Sequence, residues 1–354
     1  MYEPVSHPHW NGLIPSQYIF ANRRFVGVAL DPPDFEPGSW IGAGAAVLDP
    51  DEECFILTAR PRKATGGVRG YSADIYRSYN GAEFAPLCSV SKEEVAEKSG
   101  LRIDSIEGTQ LQKDPLTGRW HFYLSVNTET EFVWGGLHWE TLLLTAEDLK
   151  GPWQSHGVVL PTGEGFDFYQ ARDSAIGIVD GRWFCLYKAR DGDRTLRPAL
   201  AVSQDGVSWQ KLGPLTMDGE DRHVFLNGTL FAGASGVLFV GLEKADPTEE
   251  ERAKAEEQAD EHGVPHGGGP RRNFLACALD LRGRNLETIY RTPWVPGSEY
   301  EHPEHPVLGY SSLVFDPPRN RILTYVEAID PELSQHMGLN GTVERLLVYQ
   351  TPLP

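Results

Sequence analysis

The sequence predicts an all-β fold, a five-bladed β-propeller built from four-stranded antiparallel blades around a central channel. A repeat carries most of that reading. The outline of a short strand, a tight turn and a second aromatic-rich strand recurs five times. The copies are GAAVLDPDEECFILTARPR from Gly44, GTQLQKDPLTGRWHFYLSV from Gly108, DSAIGIVDGRWFCLYKAR from Asp173, NGTLFAGASGVLFVGLEKA from Asn227 and SSLVFDPPRNRILTYVEA from Ser311. Each turn is marked by Asp-Pro, Asp-Gly or small residues, the punctuation of a hairpin.

A second hairpin follows each copy at a roughly constant interval. Its copies are ADIYRSYNGAEFAPL, TLLLTAEDLKGPWQS, ALAVSQDGVSWQKLG, FLACALDLRGRNLET and the incomplete RLLVYQTPLP. Two hairpins per repeat make a four-stranded unit, and radial repetition is how such units hide their edges. The last unit lacks a strand at the C-terminus, so an N-terminal strand within QYIFANRRFV is expected to complete it.

The repeats run without a linker, which implies one catalytic domain over residues 1–354. Nine Trp, 37 Gly and 26 Pro fit a turn-rich β protein. Helix is expected at SKEEVAEKSG, where Ser91 caps and Gly100 closes, and in the polar stretch DPTEEERAKAEEQADEHG. The latter belongs to a helical and Gly-rich insertion, 246–272, in the fourth blade.

Fifty Asp and Glu against 32 Lys and Arg leave no basic face for nucleic acid. No apolar run is long enough to span a bilayer and no leader is evident, so the expected location is the cytoplasm. Cys54, Cys88, Cys185 and Cys277 show no CxxC spacing and are expected to be buried thiols. The sequence does not specify an oligomeric state.

In a propeller blade the first strand lies innermost. The residues opening each copy, Ala43-Gly44, Glu107-Gly108, Arg172-Asp173, Leu226-Asn227 and Tyr310-Ser311, therefore ring one mouth of the channel. The second strand returns to that mouth, bringing Arg60, Arg62, Lys188, Arg190, Glu243 with Lys244, and Glu327. With Trp40, Trp134, His138, Trp139 and Tyr310 nearby, these make a sugar site: aromatic faces stack on pyranose rings while charged groups hydrogen-bond hydroxyls.

Among them Glu107 is the candidate general acid, expected beside apolar Ile106, and Asp173 the base or the group that orients it. Asp74 is a third candidate carboxyl, for the first blade. Arg60, Arg62, Arg172, Lys188, Trp40, His138, Trp139, Asn227, Glu243, Tyr310 and Glu327 are candidate substrate contacts. The same charged residues admit a second use, interblade ion pairing. HPHW at 7–10 and EHPEHP at 301–306 bring His and Glu together, but their prolines impose extended geometry without zinc spacing. Loop packing or sugar contacts from His302 and His305 are expected instead, and no metal ligand is assigned.

The layout, with IEG opening unit two, RDS opening unit three and SQDGVSW in its outer hairpin, resembles the five-bladed β-propeller glycoside hydrolases over about residues 40–350. That group includes families 43 and 32 and, most similar in spacing, the mannoside phosphorylase family 130. GAGAAVLDPDEECFILTARPR is similar to the first blade of family 130, and LETIYRTPWVPGSEYE to the segment leading into its last blade. Family 130 opens its second blade with Glu-Asp-Pro-Arg, whose Asp is the proton donor; here Glu107-Gly108-Thr109-Gln110 stands in its place. Asp173 matches the middle Asp of families 32 and 43. Glu107-Gly108-Thr109 is similar to their Glu-Gly-Pro acid, which sits on the fourth blade, and their first-blade Asp has no counterpart at Ala43-Gly44.

The resemblance implies a glycosidase acting on an oligosaccharide or glycoside with no cofactor, and it allows a structural ion in the channel. Phosphorolysis, and a non-catalytic propeller that binds carbohydrate, are the alternative functions.

Overall fold

A computed structural model of the chain describes residues 19–49, 51–63, 70–128, 138–233, 236–245, 272–292, 297–303, 309–335 and 341–353. The architecture is all-β. Strand β1 (Arg24–Leu30) is set aside at first, and the strands after it pair in chain order. In the first unit β2 (Trp40–Gly42) and β3 (Ala46–Asp49) together occupy the place of a first strand beside β4 (Cys54–Arg62), followed by β5 (Ser72–Ser78) and β6 (Ala85–Ser91). Helix α1 (Lys92–Ser99) leads into the second unit, β7 (Ser105–Lys113), β8 (Trp120–Asn127), β9 (Trp139–Ala146) and β10 (Gln154–Leu160).

The third unit is β11 (Gln170–Val179), β12 (Arg182–Arg190), β13 (Leu196–Ser203) and β14 (Gln210–Pro214). After the short β15 (Thr216–Met217) comes the fourth, β16 (Val224–Gly233), β17 (Gly236–Ala245), β18 (Arg272–Asp280) and β19 (Asn285–Thr292). The fifth is β20 (Ser311–Asp316), β21 (Arg321–Ile329) and β22 (Glu344–Pro352), and β1 completes it by pairing antiparallel with β22.

The expected N-terminal closure therefore occurs, but the strand starts at Arg24. Ile19 and Phe20 ahead of it are buried, with Phe20 stacked on Phe274 at 4.6 Å, so these apolar residues fill a gap instead of extending the strand. Helix α1 forms as its caps require: Ser91 accepts from the Glu94 N–H, and the Gly100 N–H donates to Ala96. Nearly all of the predicted helical insertion lies outside the described residues; its last residue, Arg272, opens β18.

Local chemistry explains the turns. Asp180 and Gly181, both at positive φ, link β11 to β12 as a two-residue hairpin loop. Ser78-Tyr79-Asn80-Gly81 and Ser203-Gln204-Asp205-Gly206 form one turn used twice. In each, the serine hydroxyl accepts from the glycine N–H, and the Asn80 or Asp205 side chain accepts from the following amides.

The inner strands are apolar on both faces because they belong to two cores. Alternate residues of β8 separate in this way: Trp120, Phe122, Leu124 and Val126 join a cluster with the first unit, while Tyr123 joins one with the third. On β17 Leu238, Val240 and Leu242 face the fifth unit, and Val237 and Phe239 the third. Each of five apolar clusters straddles two units, and one of them joins β1, β21 and β22 of the fifth to Ile41, Phe55 and Leu57 of the first. All four cysteines lie on strands and are free; burial pushes the thiols of Cys185 and Cys277 up to about 12, which makes them inert packing groups.

Two tyrosines make equivalent links between units. The Tyr123 hydroxyl donates to the Gly206 carbonyl at 2.6 Å, and the Tyr325 hydroxyl donates to the Gly81 carbonyl at 2.8 Å. Each reaches from a second strand to the serine-glycine turn of the next unit. Tyr325→Phe leaves the buried Gly81 carbonyl without this donor and should destabilise the protein by about 1–3 kcal/mol, whereas in Tyr123→Phe the Trp209 Nε1 still donates to the Gly206 carbonyl at 3.2 Å and the loss should be about 1 kcal/mol. Thermal unfolding would register both as lowered midpoints, and Tyr325→Phe should loosen the contact between the first and last units in hydrogen exchange.

Candidate active site

The openings of the first strands are irregular where function was expected. Register shifts interrupt β7 between Ile106 and Thr109 and β11 between Arg172 and Ala175. Such bulges turn side chains out of the pleat. Asp173 and Ala43, one position apart in the repeat, adopt the left-handed conformation at φ 51° and 56°. A non-glycine residue held there stores backbone strain, which asparagine and aspartate tolerate best.

Asp173 is closed to solvent and fully engaged. Its Oδ1 accepts from the Gly108 N–H at 3.3 Å, and its Oδ2 lies 3.3 Å from Arg172 Nη1 and 3.5 Å from Lys188 Nζ. Its own N–H donates to Ser125 Oγ at 2.9 Å, and the Tyr310 hydroxyl donates to the carboxylate. Burial alone would raise the carboxyl's pKa. Arg172, Lys188, the Tyr310 hydroxyl and the Gly108 amide outweigh it and hold the group below the usual carboxylate range.

The lysine of this set yields. Burial first, then Arg172, bring Lys188 down to about 7 against the pull of Asp173 and Glu107. Arg172 is consequently the lasting counter-ion of Asp173.

Glu107 is the more open of the two, with a side chain 15% exposed. Its Oε2 meets Arg60 Nη2 at 2.6 Å. The sequence placed it against Ile106, but the Ile106 side chain lies in the cluster between the first two units, and a guanidinium is what Glu107 touches. Tyr310 lies close to both carboxylates; burial and then Asp173 and Glu107 keep its hydroxyl protonated far into the alkaline range.

Five units contribute to this end of the molecule. Arg60 comes from β4, Glu107 from β7, Asp173 and Lys188 from β11 and β12, Arg272 from β18, and Tyr310, Glu327 and Glu344 from the fifth unit. Arg272 and Glu344 escaped sequence reading, which took candidates only from first and second strands. Both begin third strands, and a third strand starts beside the end of the second; that rule would have found them.

Other candidates serve different ends. Asp74, on β5, accepts from Ser89 Oγ at 2.6 Å and from the Tyr76 hydroxyl at 3.2 Å, among outer strands of its unit. Glu243 pairs with Arg291 at 2.8 Å and lies 3.9 Å from Arg222. Asn227 staples two first strands, its Oδ1 accepting from the Ser311 N–H at 2.6 Å. Arg190 Nη1 donates to the Arg194 carbonyl at 2.8 Å.

The tryptophans hold cations where sugars were expected. Arg62 lies 4.0 Å from the Trp40 ring centre and Arg172 4.2 Å from that of Trp139, which is 1% exposed and has no face left for a sugar. His138 packs edge-on to Tyr169 at 5.2 Å. Glu301 packs in its loop, accepting from Ser298 N–H and the Tyr349 hydroxyl, and the His302 N–H donates to the Ile329 carbonyl. Trp134, His305 and the HPHW run lie outside the described residues.

The other ends of the first strands enclose something different. A cavity of about 350 Å³ lies among Leu48, Ile178, Leu230, Phe231, Val314 and Phe315. Its lining is largely apolar, with Lys113 and Asp180 as its charged residues.

No family model and no curated protein matches the sequence. Solved structures do. A glycosyl hydrolase from Bacteroides ovatus is 14% identical, with 98% of this chain and 100% of that one covered and a TM-score of 0.59. A family 117 glycoside hydrolase from Zobellia galactanivorans is 13% identical over 94% of this chain and 91% of its own, at a TM-score of 0.56. An N-acetylgalactosamine deacetylase from F. plautii, solved with blood group B trisaccharide, is 10% identical, covering 93% and 94% at a TM-score of 0.63. At these identities the likeness is one of fold, shared over almost the whole length of this chain.

Proposed function

We propose that this protein is a glycoside hydrolase, that its five units are the blades of one propeller-shaped catalytic domain, and that an oligosaccharide or glycoside is cleaved at the mouth holding Glu107 and Asp173. The hydrogen bond from the Gly108 N–H to Asp173 carries the reading. It ties an accessible carboxyl and a buried ionised one to adjacent first strands.

Support for the blades comes from the first strands, which touch in order: β3 with β7, β7 with β11, β11 with β16, β16 with β20, and β20 with β3. Support for a carbohydrate substrate comes from the fold neighbours, two described as glycoside hydrolases and one bound to a trisaccharide.

Glycoside hydrolysis requires a proton for the leaving oxygen and negative charge near the anomeric carbon as it becomes cationic. Glu107 reaches solvent and is oriented by Arg60, so it donates the proton. Asp173 has both oxygens occupied and no exposure. Its role is a fixed negative charge that stabilises the developing cation and orients its surroundings, not direct attack; water then bonds to the anomeric carbon and its proton returns to the Glu107 carboxylate, restoring the acid. Tyr310 backs this charge with its hydroxyl. The chemistry assigned to these residues needs no cofactor.

Glu107→Gln should lower kcat/KM by about 10²–10⁴-fold with the fold intact by circular dichroism. Asp173→Asn, which removes the fixed charge, should cost about 10²-fold or more. A panel of aryl α- and β-glycosides, including arabinofuranosides, galactofuranosides and mannosides, measured with and without phosphate, checks both. Turnover that survives both substitutions would sink the assignment, and turnover that demands phosphate would make the enzyme a phosphorylase.

A further inference from the structure

Behind Glu107 lies a second pair of carboxyls that the proposed reaction leaves unused. Glu327 and Glu344 are each 1% exposed. Register sets them side by side: Glu327 is opposite Leu346 and Glu344 opposite Ile329, so the two are diagonal neighbours on one face of the β21–β22 pair. That face, shared with Leu323, Tyr325, Leu346 and Val348, packs against the first unit.

Two glycines let Glu327 through. A Cβ on Gly42 would stand 2.5 Å from the Glu327 carboxyl carbon, and one on Gly309 would overlap its Oε2. Gly42 pairs across the sheet with Arg60, the residue that holds Glu107. Glu327 Oε2 accepts from the Tyr310 N–H at 3.0 Å, whereas Oε1 is buried with no hydrogen-bond partner. Nε and Nη1 of Arg60 are likewise buried and without partners. An acceptor lacking a donor and a cation with spare donors therefore face the same glycine gap.

We propose that Glu327 is a positioning residue for Glu107, acting through Arg60: ionised, it competes for the guanidinium and opposes loss of the Glu107 proton; protonated, it leaves Arg60 to Glu107. The inference rests on the glycosidase reading for its effect on rate, and on the burial and charge around Glu327 for its proton.

The groups facing Glu327 are Arg60 and Arg62 from β4, Glu107 from β7, Arg272 from β18, Tyr310 before β20, and Glu344 from β22. Burial, followed by Glu107, pushes Glu327 up to about 7 despite Arg60, the Tyr310 amide and Arg272. Burial and then Glu327 likewise push Glu344 well above the usual carboxylate range. The folded protein then holds a proton that the unfolded chain releases near the ordinary value of 4.5, and stability falls as pH rises from about 4.5 to about 7.

The experiment compares wild type, Glu327→Gln and Glu344→Gln in two readouts. In thermal unfolding across pH 4 to 8, Glu327→Gln should flatten the fall in midpoint; an unchanged dependence overturns the proposal whatever the activity. In kcat/KM against pH, on the best aryl glycoside, the alkaline limb should move acidward by about one pH unit in Glu327→Gln. An Arg60→Met background should abolish that movement. A uniform loss of rate at every pH would instead mark Glu327 as merely structural and overturn the link to Glu107. Should Glu327→Gln fail to fold, Glu344→Gln must steepen or shift the same stability curve, and no change there overturns the pairing. Absence of all glycoside turnover in wild type defeats the glycosidase reading, while the unfolding curves still decide the proton.

Discussion

A guanidinium sealed in a protein interior has to be answered by negative charge, and Arg60 is sealed: its residue is 1% exposed and its charge is stabilised by Glu107, Glu327 and Glu344. Much of the site follows from this one requirement. Arg60 needs carboxylates from the second and fifth units, and they cannot arrive unless those units stand around it. A cation from the first unit thus organises acids contributed by its neighbours. Asp173 repeats the logic with the sign reversed, as a buried anion answered by Arg172, Lys188 and the Tyr310 hydroxyl.

The two centres differ in balance. Asp173 is saturated with donors and held below the usual carboxylate range, whereas burial and neighbouring carboxylates push Glu327 and Glu344 above it despite Arg60. Between these extremes Glu107 has one strong partner and an opening to solvent. The acid role proposed for Glu107 needs that intermediate setting, and supporting groups do not.

The architecture was legible because its signals are local. Asp180-Gly181, the two serine-glycine turns and the period of two on strands such as β8 and β17 all act within a few residues. The mouth was partly legible for the same reason: repeat positions brought Glu107, Asp173, Arg60, Lys188, Tyr310 and Glu327 to one end. What the sequence left obscure depends on parity and on distant partners. Glu243 looks equivalent to other second-strand charges, yet Arg291 of its own unit claims it. Trp139 looked like a sugar platform until Arg172 covered it. Arg272 and Glu344 begin strands of ordinary composition, and only a register tells where such a residue ends up.

Pairing of β1 with β22 bears on how the molecule comes to exist. Strand β1 has as its partner β22, more than 300 residues later in the chain, as in Arg24 beside Gln350. Every other unit can assemble from contiguous chain, but the fifth must bring β1 to β22 across all the strands between them. Closing that long loop is entropically costly and slow. The seam between first and last units is accordingly the place where folding should complete and where the finished protein would first reopen.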